Sequence, residues 1–353
     1  MNELRAGIVG LGTMGRNHAR VLGSLPGIKL VGATDPDPLA RAAARGFPAV
    51  ADLDELLTAG IDMCVVAAPT LTHSDIGLRL AEAGVHTLME KPLAADPASG
   101  HLLAKAFGER RLVGCVGHIE RYNSAARALR VRLDQGELGT VFQVATRRQG
   151  PFPPRIRDVG VIMDLATHDI DLTEWLTGSP YMRVAAFTAC PSGRLHEDMV
   201  IASGMLRDGT VTNHLVNWVS AIKERIVIVT GERGCLTANT LGTELWFQRN
   251  GSAPARRRPG THPFCGASEG DLTRFSIGKR EALTVELENF RDAILGKPAD
   301  IVTMRLGAET IEVAAAVQSA SDAASSSIDI AAGELMLSRR PDPELAGSGR
   351  VIS

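Results

Sequence analysis

The chain has no apolar stretch approaching the ~20 residues of a membrane-spanning helix, and its first residues lack the apolar centre of a secretion signal. Neither a membrane span nor a leader is expected, so the cytoplasm is the default location. No charge of one sign dominates: 38 Lys and Arg against 40 Asp and Glu leave a formal net charge of −2. The basic residues are scattered through both halves, which excludes the electrostatic footprint of a nucleic-acid or anionic-membrane binder. The one basic run, Arg256-Arg257-Arg258, lies among Pro, Gly and Ser and reads as a solvated loop. Cysteine is scarce: Cys64, Cys115, Cys190, Cys235 and Cys265 form an odd set without a C-x-x-C pair. That argues against both a disulfide framework and a structural zinc site. Cys64 and Cys115 lie inside apolar runs and read as small core residues. No internal repeat is visible.

What is present is enough apolar material, 44% of 353 residues, to bury substantial cores in two domains. Residues 6 to 15 place Gly10, Gly12 and Gly15 between a short apolar run and an Ala- and Leu-bearing helical stretch. In G-x-G-x-x-G the first glycine makes the strand-to-helix turn, the second admits a pyrophosphate, and the third packs helix on strand. The helix N-terminus then turns its free N–H groups toward the phosphates. About twenty residues later a second strand ends in Asp35. Its carboxylate can accept hydrogen bonds from both hydroxyls of an adenine ribose and repels a 2′-phosphate, which favours NAD over NADP.

Strands and helices alternate through residues 1–120, as in a doubly wound parallel Rossmann sheet. Met63 to Ala68, Val85 to Met89 and Leu112 to Gly117 are near-continuous apolar strands, as a sheet covered on both faces requires. After Tyr122 the pattern becomes alternating runs at 141–146, 184–187, 199–202, 210–215 and 224–229 with few long helices. Residues 121–337 therefore read as an α+β domain with a large open, mostly antiparallel sheet. Helices are expected at about 163–176, 281–294 and 305–322, and 338–353 read as a flexible tail.

Three motifs stand at strand ends, where an open α/β sheet binds its ligands. Ala68-Pro69-Thr70-Leu71-Thr72-His73 follows the fourth predicted strand, Glu90-Lys91-Pro92 the fifth, and Gly117-His118-Ile119-Glu120-Arg121-Tyr122-Asn123 the sixth. A cis peptide suits the proline turn after Lys91. The fourth motif is helical: Asp164, His168 and Asp171 are spaced four and three apart, which predicts one shared face. Each motif has a plainer reading: Pro92 as a turn-former, Lys91 as a solvated lysine, His168 as a core histidine satisfied by Asp164. Metal ligation by Asp-x-x-x-His lacks a third ligand at suitable spacing, so no metal is expected. All the plain readings must hold at once for the set to be chance.

This ordered set resembles the glucose-fructose oxidoreductase / inositol dehydrogenase family, Gfo/Idh/MocA, motif by motif from Ala6 to about Gly178. The resemblance implies a Rossmann domain, an α/β domain whose open sheet face carries oligomer contacts, and a homodimer or homotetramer. It implies Lys91, Asp164 and His168 as the catalytic set. The candidate cofactor contacts are Gly10, Gly12, Thr13, Met14, Gly15, Asp35, Ala68, Pro69, Thr70, His73, Glu90, Lys91 and His118. Two positions depart from the family pattern: Asp158-Val159-Gly160 stands where three glycines are usual, and Ala166 where a glycine is usual. The chemistry fits the residue types. His168 takes the hydroxyl proton of a secondary alcohol, Lys91 stabilises charge on that oxygen, and Asp164 orients imidazole and substrate.

The segment from Arg147 to Asp171 resembles the subset of the family that oxidises UDP-N-acetylglucosamine at C3. Candidate substrate contacts are Lys91, Arg121, Tyr122, Asn123, Arg155, Arg157, Asp164 and His168. Arg155 and Arg157, on a proline-stiffened loop, are forked donors suited to a diphosphate. The alternatives are an inositol or free-sugar dehydrogenase, a keto-sugar nucleotide reductase, or a non-catalytic NAD-binding regulator.

Overall fold

A computed structural model describes residues 3–153, 159–251 and 268–322. The chain opens with β1 (Leu4–Val9), α1 (Thr13–Leu22), β2 (Ile28–Thr34), α2 (Pro38–Ala42), β3 (Ala49–Val50), α3 (Leu53–Thr58) and β4 (Met63–Val66). It continues through α4 (His73–Glu82), β5 (His86–Met89), α5 (Pro97–Glu109) and β6 (Gly114–Val116). The six strands lie in the order β3-β2-β1-β4-β5-β6, and every pair is parallel. The order reverses beside β1, which opens a crevice at the carboxyl ends of β1 and β4. All four residues of β4 are buried because helices cover both faces of the sheet. Asp52 and Asp96 accept backbone N–H groups at the starts of α3 and α5, and Pro97 fixes the first turn of α5.

The second layer is built from α6 (Ser124–Asp134), β7 (Val141–Pro151), α7 (Thr167–Thr177), β8 (Tyr181–Ala189), β9 (Met199–Leu206), β10 (Val211–Asn217) and β11 (Val219–Gly231). Then come β12 (Gly234–Asn239), β13 (Glu244–Gly251), β14 (Ser268–Phe275), α8 (Ala282–Ile294) and α9 (Met304–Asp322). Its eight strands run β14-β13-β12-β11-β7-β10-β9-β8, antiparallel except for the parallel pair β7 and β10. One face packs Val144, Val227, Val229 and Leu236 against Leu129 of α6 and Leu172 of α7. The opposite face leaves Phe187, Met182, Ile201 and Leu272 exposed.

Three features differ from the sequence reading. The helix expected from Met163 begins as a single π-type turn, Ile162–Ala166, before α7 takes over. Strands β12 to β14 extend the sheet beyond the alternating runs recognised in sequence. The chain also does not leave the first domain for good at residue 120. Leu283, Leu287 and Phe290 of α8 join the core beneath α1 and β1, and Ala308 of α9 packs against Gly100 of α5. Helix α9 also meets α7 and β8, so it ties the two sheets together. Arg155, Arg157, the Arg256–Arg258 run, Cys265 and the tail at 338–353 lie outside the described residues.

Candidate active site

The glycine loop after β1 has the shape its spacing predicts. Gly10 has φ +94°, and a Cβ there would stand 2.4 Å from the Ala67 carbonyl oxygen. At Gly15 a Cβ would fall 1.8 Å from the Gly10 oxygen, so only glycine lets α1 approach the loop. At Gly12 a Cβ would meet nothing within 4 Å, which leaves open space in front of the N-terminal N–H groups of Thr13 and Met14. At the end of β2, Asp35 accepts the Leu11 N–H through Oδ2 at 2.7 Å and the Asp37 N–H through Oδ1 at 2.9 Å. These bonds aim the carboxylate at the rim of the loop. Open space at Gly12, oriented donors and a fixed carboxylate fit the pyrophosphate and ribose of NAD.

The next two motifs are braced to one another. His73 opens α4, is 1% exposed, and lies with Nδ1 3.0 Å from the Pro92 carbonyl and Nε2 3.0 Å from that of Ala68. Burial lowers its pKa, against the pull of those carbonyls. It fastens the loop carrying Pro69 and Thr70 to the Lys91–Pro92 peptide, which is cis. Glu90 lies behind this turn, with Oε1 2.8 Å from Nε2 of His18 on α1. Burial opposes its ionisation, but the His18 hydrogen bond and the charges of His18 and Lys91 hold its carboxyl below the usual range. Glu90 and His73 thus shape the cradle from within.

Lys91 leaves this turn and crosses to the second layer. Its Nζ donates to the carbonyl oxygen of Asp164 at 2.6 Å and to Oδ1 at 2.7 Å. The π-type turn carries Asp164, whose backbone carbonyl and carboxylate both meet the lysine. His168, one turn on, is 8% exposed. Burial pushes its imidazole well below the usual histidine range, and Lys91, Arg148, His118 and Arg225 push it further, so it is neutral at pH 7. The His118 ring stands edge-on to it with centroids 6.2 Å apart. Nδ1 of His168 and Oδ2 of Asp164 are buried without hydrogen-bond partners among the described residues.

The expected partnership of Asp164 with the imidazole is replaced by the Lys91 ion pair. Asp171, predicted on the same face as His168, is 1% exposed and receives Arg121 through Nε at 2.8 Å and Nη2 at 2.6 Å. The structure therefore places Arg121 in a buried fork with Asp171. Tyr122 is also buried, and burial raises its phenol well above the ordinary value. Asn123 caps α6, accepting the Ala125 N–H and donating to the Thr240 carbonyl, each at 2.9 Å. Of these three predicted substrate contacts, Arg121 and Asn123 tie the Ile119–Tyr122 turn to the second layer.

Spacing alone missed a buried charge cluster beneath His168. Arg148 of β7, 3% exposed, donates through Nε to Asp169 and through Nη1 to Glu120, both at 2.9 Å. Burial works against its charge, and the two carboxylates overcome that and raise its pKa. Directly opposite Arg148 in register stands Arg225 of β11. No sequence signal links Arg148 to Asp169, because the contact depends on how α7 lies across β7.

With this geometry in view, the comparisons are specific. The oxidoreductase family with an NAD-binding Rossmann fold matches residues 4–118, and that family's C-terminal alpha/beta domain matches residues 130–328. UDP-N-acetylglucosamine 3-dehydrogenase of Acidithiobacillus ferrooxidans is 31% identical over 299 residues, covering 83% of this chain and 90% of the relative. A solved structure of that enzyme superposes with a TM-score of 0.79 over 92% of this chain and 99% of the other. GenD2 from gentamicin A biosynthesis, solved in complex with NAD, is 25% identical with a TM-score of 0.74 over 91% of this chain and 95% of the other. An inositol 2-dehydrogenase of Rhizobium meliloti is 30% identical over 53% of this chain and 58% of the relative. On sequence, fold and cradle alike, the chain belongs to the Gfo/Idh/MocA family of oxidoreductases and takes NAD as its cofactor.

Proposed function

We propose that this protein is an NAD-dependent dehydrogenase of a secondary alcohol on a nucleotide sugar, with C3 of a UDP-N-acetylhexosamine as the group oxidised. The observation that carries the reading is the Lys91 to Asp164 ion pair beside a neutral, buried His168, at the mouth of the nucleotide cradle. The similarity to UDP-N-acetylglucosamine 3-dehydrogenase over most of both chains supports the sugar and the position. Relatives that are inositol dehydrogenases keep a cyclic polyol as the second reading.

Gly10, Gly12, Gly15 and Asp35 would hold the cofactor, with Ala68, Pro69 and Thr70 lining the crevice. NAD, when bound, accepts the hydride from the alcohol carbon. His168 takes the hydroxyl proton, for which a neutral imidazole is required. Lys91 uses two of its three N–H bonds on Asp164, and the third is directed at the reacting oxygen, where it stabilises developing negative charge. Asp164 fixes the position of the ammonium group, so little reorganisation is needed as charge develops. His118 walls the pocket behind His168.

The test is formation of reduced cofactor at 340 nm with UDP-N-acetylglucosamine, free N-acetylglucosamine and myo-inositol under identical NAD concentrations. Faster turnover of UDP-N-acetylglucosamine supports the reading. Faster turnover of myo-inositol or the free sugar replaces it with the polyol reading, and tight NAD binding without turnover of any of them replaces it with a regulatory role.

A further inference from the structure

Most charged side chains beneath the site are matched. Arg148 has Asp169 and Glu120, Lys91 has Asp164, and Arg121 has Asp171. Arg225 is the exception. It is half-buried on β11, and its Nη1 donates only to two backbone carbonyls, Gln149 at 2.9 Å and Glu224 at 2.7 Å. No carboxylate pairs with it among the described residues, and its Nε and Nη2 make no hydrogen bond there. Burial lowers its pKa and the Arg148 guanidinium beside it lowers it further, partly offset by the charges of Glu120, Asp169 and Asp164.

The register fixes which face of the sheet carries this residue. Arg225 lies directly opposite Arg148, and directly opposed residues of antiparallel strands share a face of the sheet. That is the face on which Arg148 meets Asp169 of α7, next to His168. Arg225 is near enough to His168 for its charge to help keep the imidazole neutral, and near enough to Asp164 to feel its carboxylate. Lys223 follows on the same face. Its stem passes over Gly150, where a Cβ would lie 3.5 Å from the lysine Cγ, and its exposed ammonium has no partner among the described residues.

We infer that Arg225 and Lys223 form the anion-binding subsite of the substrate pocket, taking the diphosphate of a nucleotide sugar whose ring reaches His168. The inference rests on the nucleotide-sugar reading above. An ordinary surface arginine would face water or a carboxylate. This one is half-buried, held in place by two carbonyls, and keeps Nε and Nη2 available for an anion. An anionic group removed from the reacting carbon anchors the substrate there while Lys91 and His168 act on the sugar hydroxyl.

The experiment compares the parent with Arg225→Gln and Lys223→Gln, all saturated with NAD so that the glycine loop cannot take the probe. KM and kcat are measured with UDP-N-acetylglucosamine, and inhibition by inorganic pyrophosphate is measured in the same cells. Arg225→Gln is expected to raise KM about 10- to 100-fold, the scale of losing a charge-assisted contact, with kcat much less affected and pyrophosphate inhibition weakened in parallel. Lys223→Gln shifts both in the same direction by less, because its ammonium is exposed. The acid limb of kcat/KM is expected to move to higher pH in Arg225→Gln, since one of the charges opposing protonation of His168 is gone, while the subsite itself is read from KM and pyrophosphate inhibition together. An unchanged KM and unchanged pyrophosphate inhibition in Arg225→Gln, with the parent active on UDP-N-acetylglucosamine, overturns the subsite and leaves the proposed function intact. A parent inactive on UDP-N-acetylglucosamine, whose turnover of myo-inositol or free N-acetylglucosamine is inhibited by pyrophosphate in a way that Arg225→Gln weakens, overturns the proposed sugar and upholds the subsite. A parent that oxidises only uncharged sugars and ignores pyrophosphate overturns both.

Discussion

Replacing Arg148 with methionine tests whether the charge cluster beneath His168 holds the second layer together. The substitution keeps much of the aliphatic stem and removes the fork, so it isolates the charge and its hydrogen bonds. Arg148 and Asp169 have side chains 3% and 1% exposed, and Glu120 16%. At 2.9 Å each contact is a charge-assisted hydrogen bond. Two unit charges about 4 Å apart attract by about 4 kcal/mol at an effective dielectric of 20, and desolvation consumes much of that gain. Removing one partner is nevertheless costly, because Asp169 stays buried and charged without a counter-ion; the expected loss is about 3–5 kcal/mol. Arg148→Lys keeps the charge and loses the fork, so it should fall between the two. The assay is equilibrium urea unfolding followed by near-ultraviolet circular dichroism, with NAD titration by fluorescence in parallel. NAD affinity should persist, since the cradle lies on the other sheet. A methionine variant with the parental urea midpoint and slope would refute the idea that these buried charges stabilise the layer.

Four further outcomes are expected. Asp35→Ala should weaken NAD binding and relax discrimination against NADP by about 1–3 kcal/mol, the scale of hydrogen bonds to a charged group; parental NADP affinity equal to that for NAD would contradict the assignment. Lys91→Ala and His168→Ala should each lower turnover by about 10²- to 10⁴-fold while NAD affinity persists, and a parental rate in either would remove it from the chemistry. Because His168 is pushed down, oxidation should remain level as pH falls through the ordinary histidine value of about 6.5, so a limb at or above that value in kcat/KM would argue against a desolvated base. Glu286 of α8 is 2% exposed with both carboxylate oxygens unpartnered, and burial, then the charge of Glu90, raises its pKa well above the usual range. Its proton is kept in the native state and lost from the unfolded chain above about pH 4.5, so its contribution to stability should decline by about 1.4 kcal/mol per pH unit until the native carboxyl ionises; Glu286→Gln should flatten this part of a pH series of urea melts, and an equally steep decline in the variant would sink the idea.

The oligomer remains a proposal of the same kind as the substrate. Phe187 and Ile201 are 66% and 49% exposed and stand opposite one another in the pairing of β8 with β9, in a sheet whose other face is covered. An uncovered apolar row of this sort is a surface for a second copy of the chain. Phe187→Asp is expected to shift a dimer or tetramer toward monomer in light scattering, and a parent that is monomeric at every concentration would dismiss it.

Local sequence determined the features that depend on a few neighbouring residues. Gly10 and Gly15 dictate a loop that a side chain at either position would keep from closing, Gly12 leaves space in front of it, and Asp35 follows because a strand of fixed length places it at the rim. The run that became β4 is apolar throughout because both its faces are covered, and that is visible without coordinates. Helical spacing brought Asp164 and His168 into view, although the π-type turn gave Asp164 to Lys91. Tertiary structure alone decided the rest, because it depends on contacts between distant segments. Arg121 lies 50 residues from Asp171 and Asn123 lies 117 from Thr240, so residues that read as pocket contacts became internal ties. Arg148 reads as one arginine of a basic stretch until α7 lies over β7 and encloses it with Asp169. Arg225 stands 77 positions beyond Arg148, and only strand register puts the two side by side on the face where Arg148 meets α7. Period and spacing record what a segment will form; which charges meet, and which is left without a partner, is settled when the segments pack.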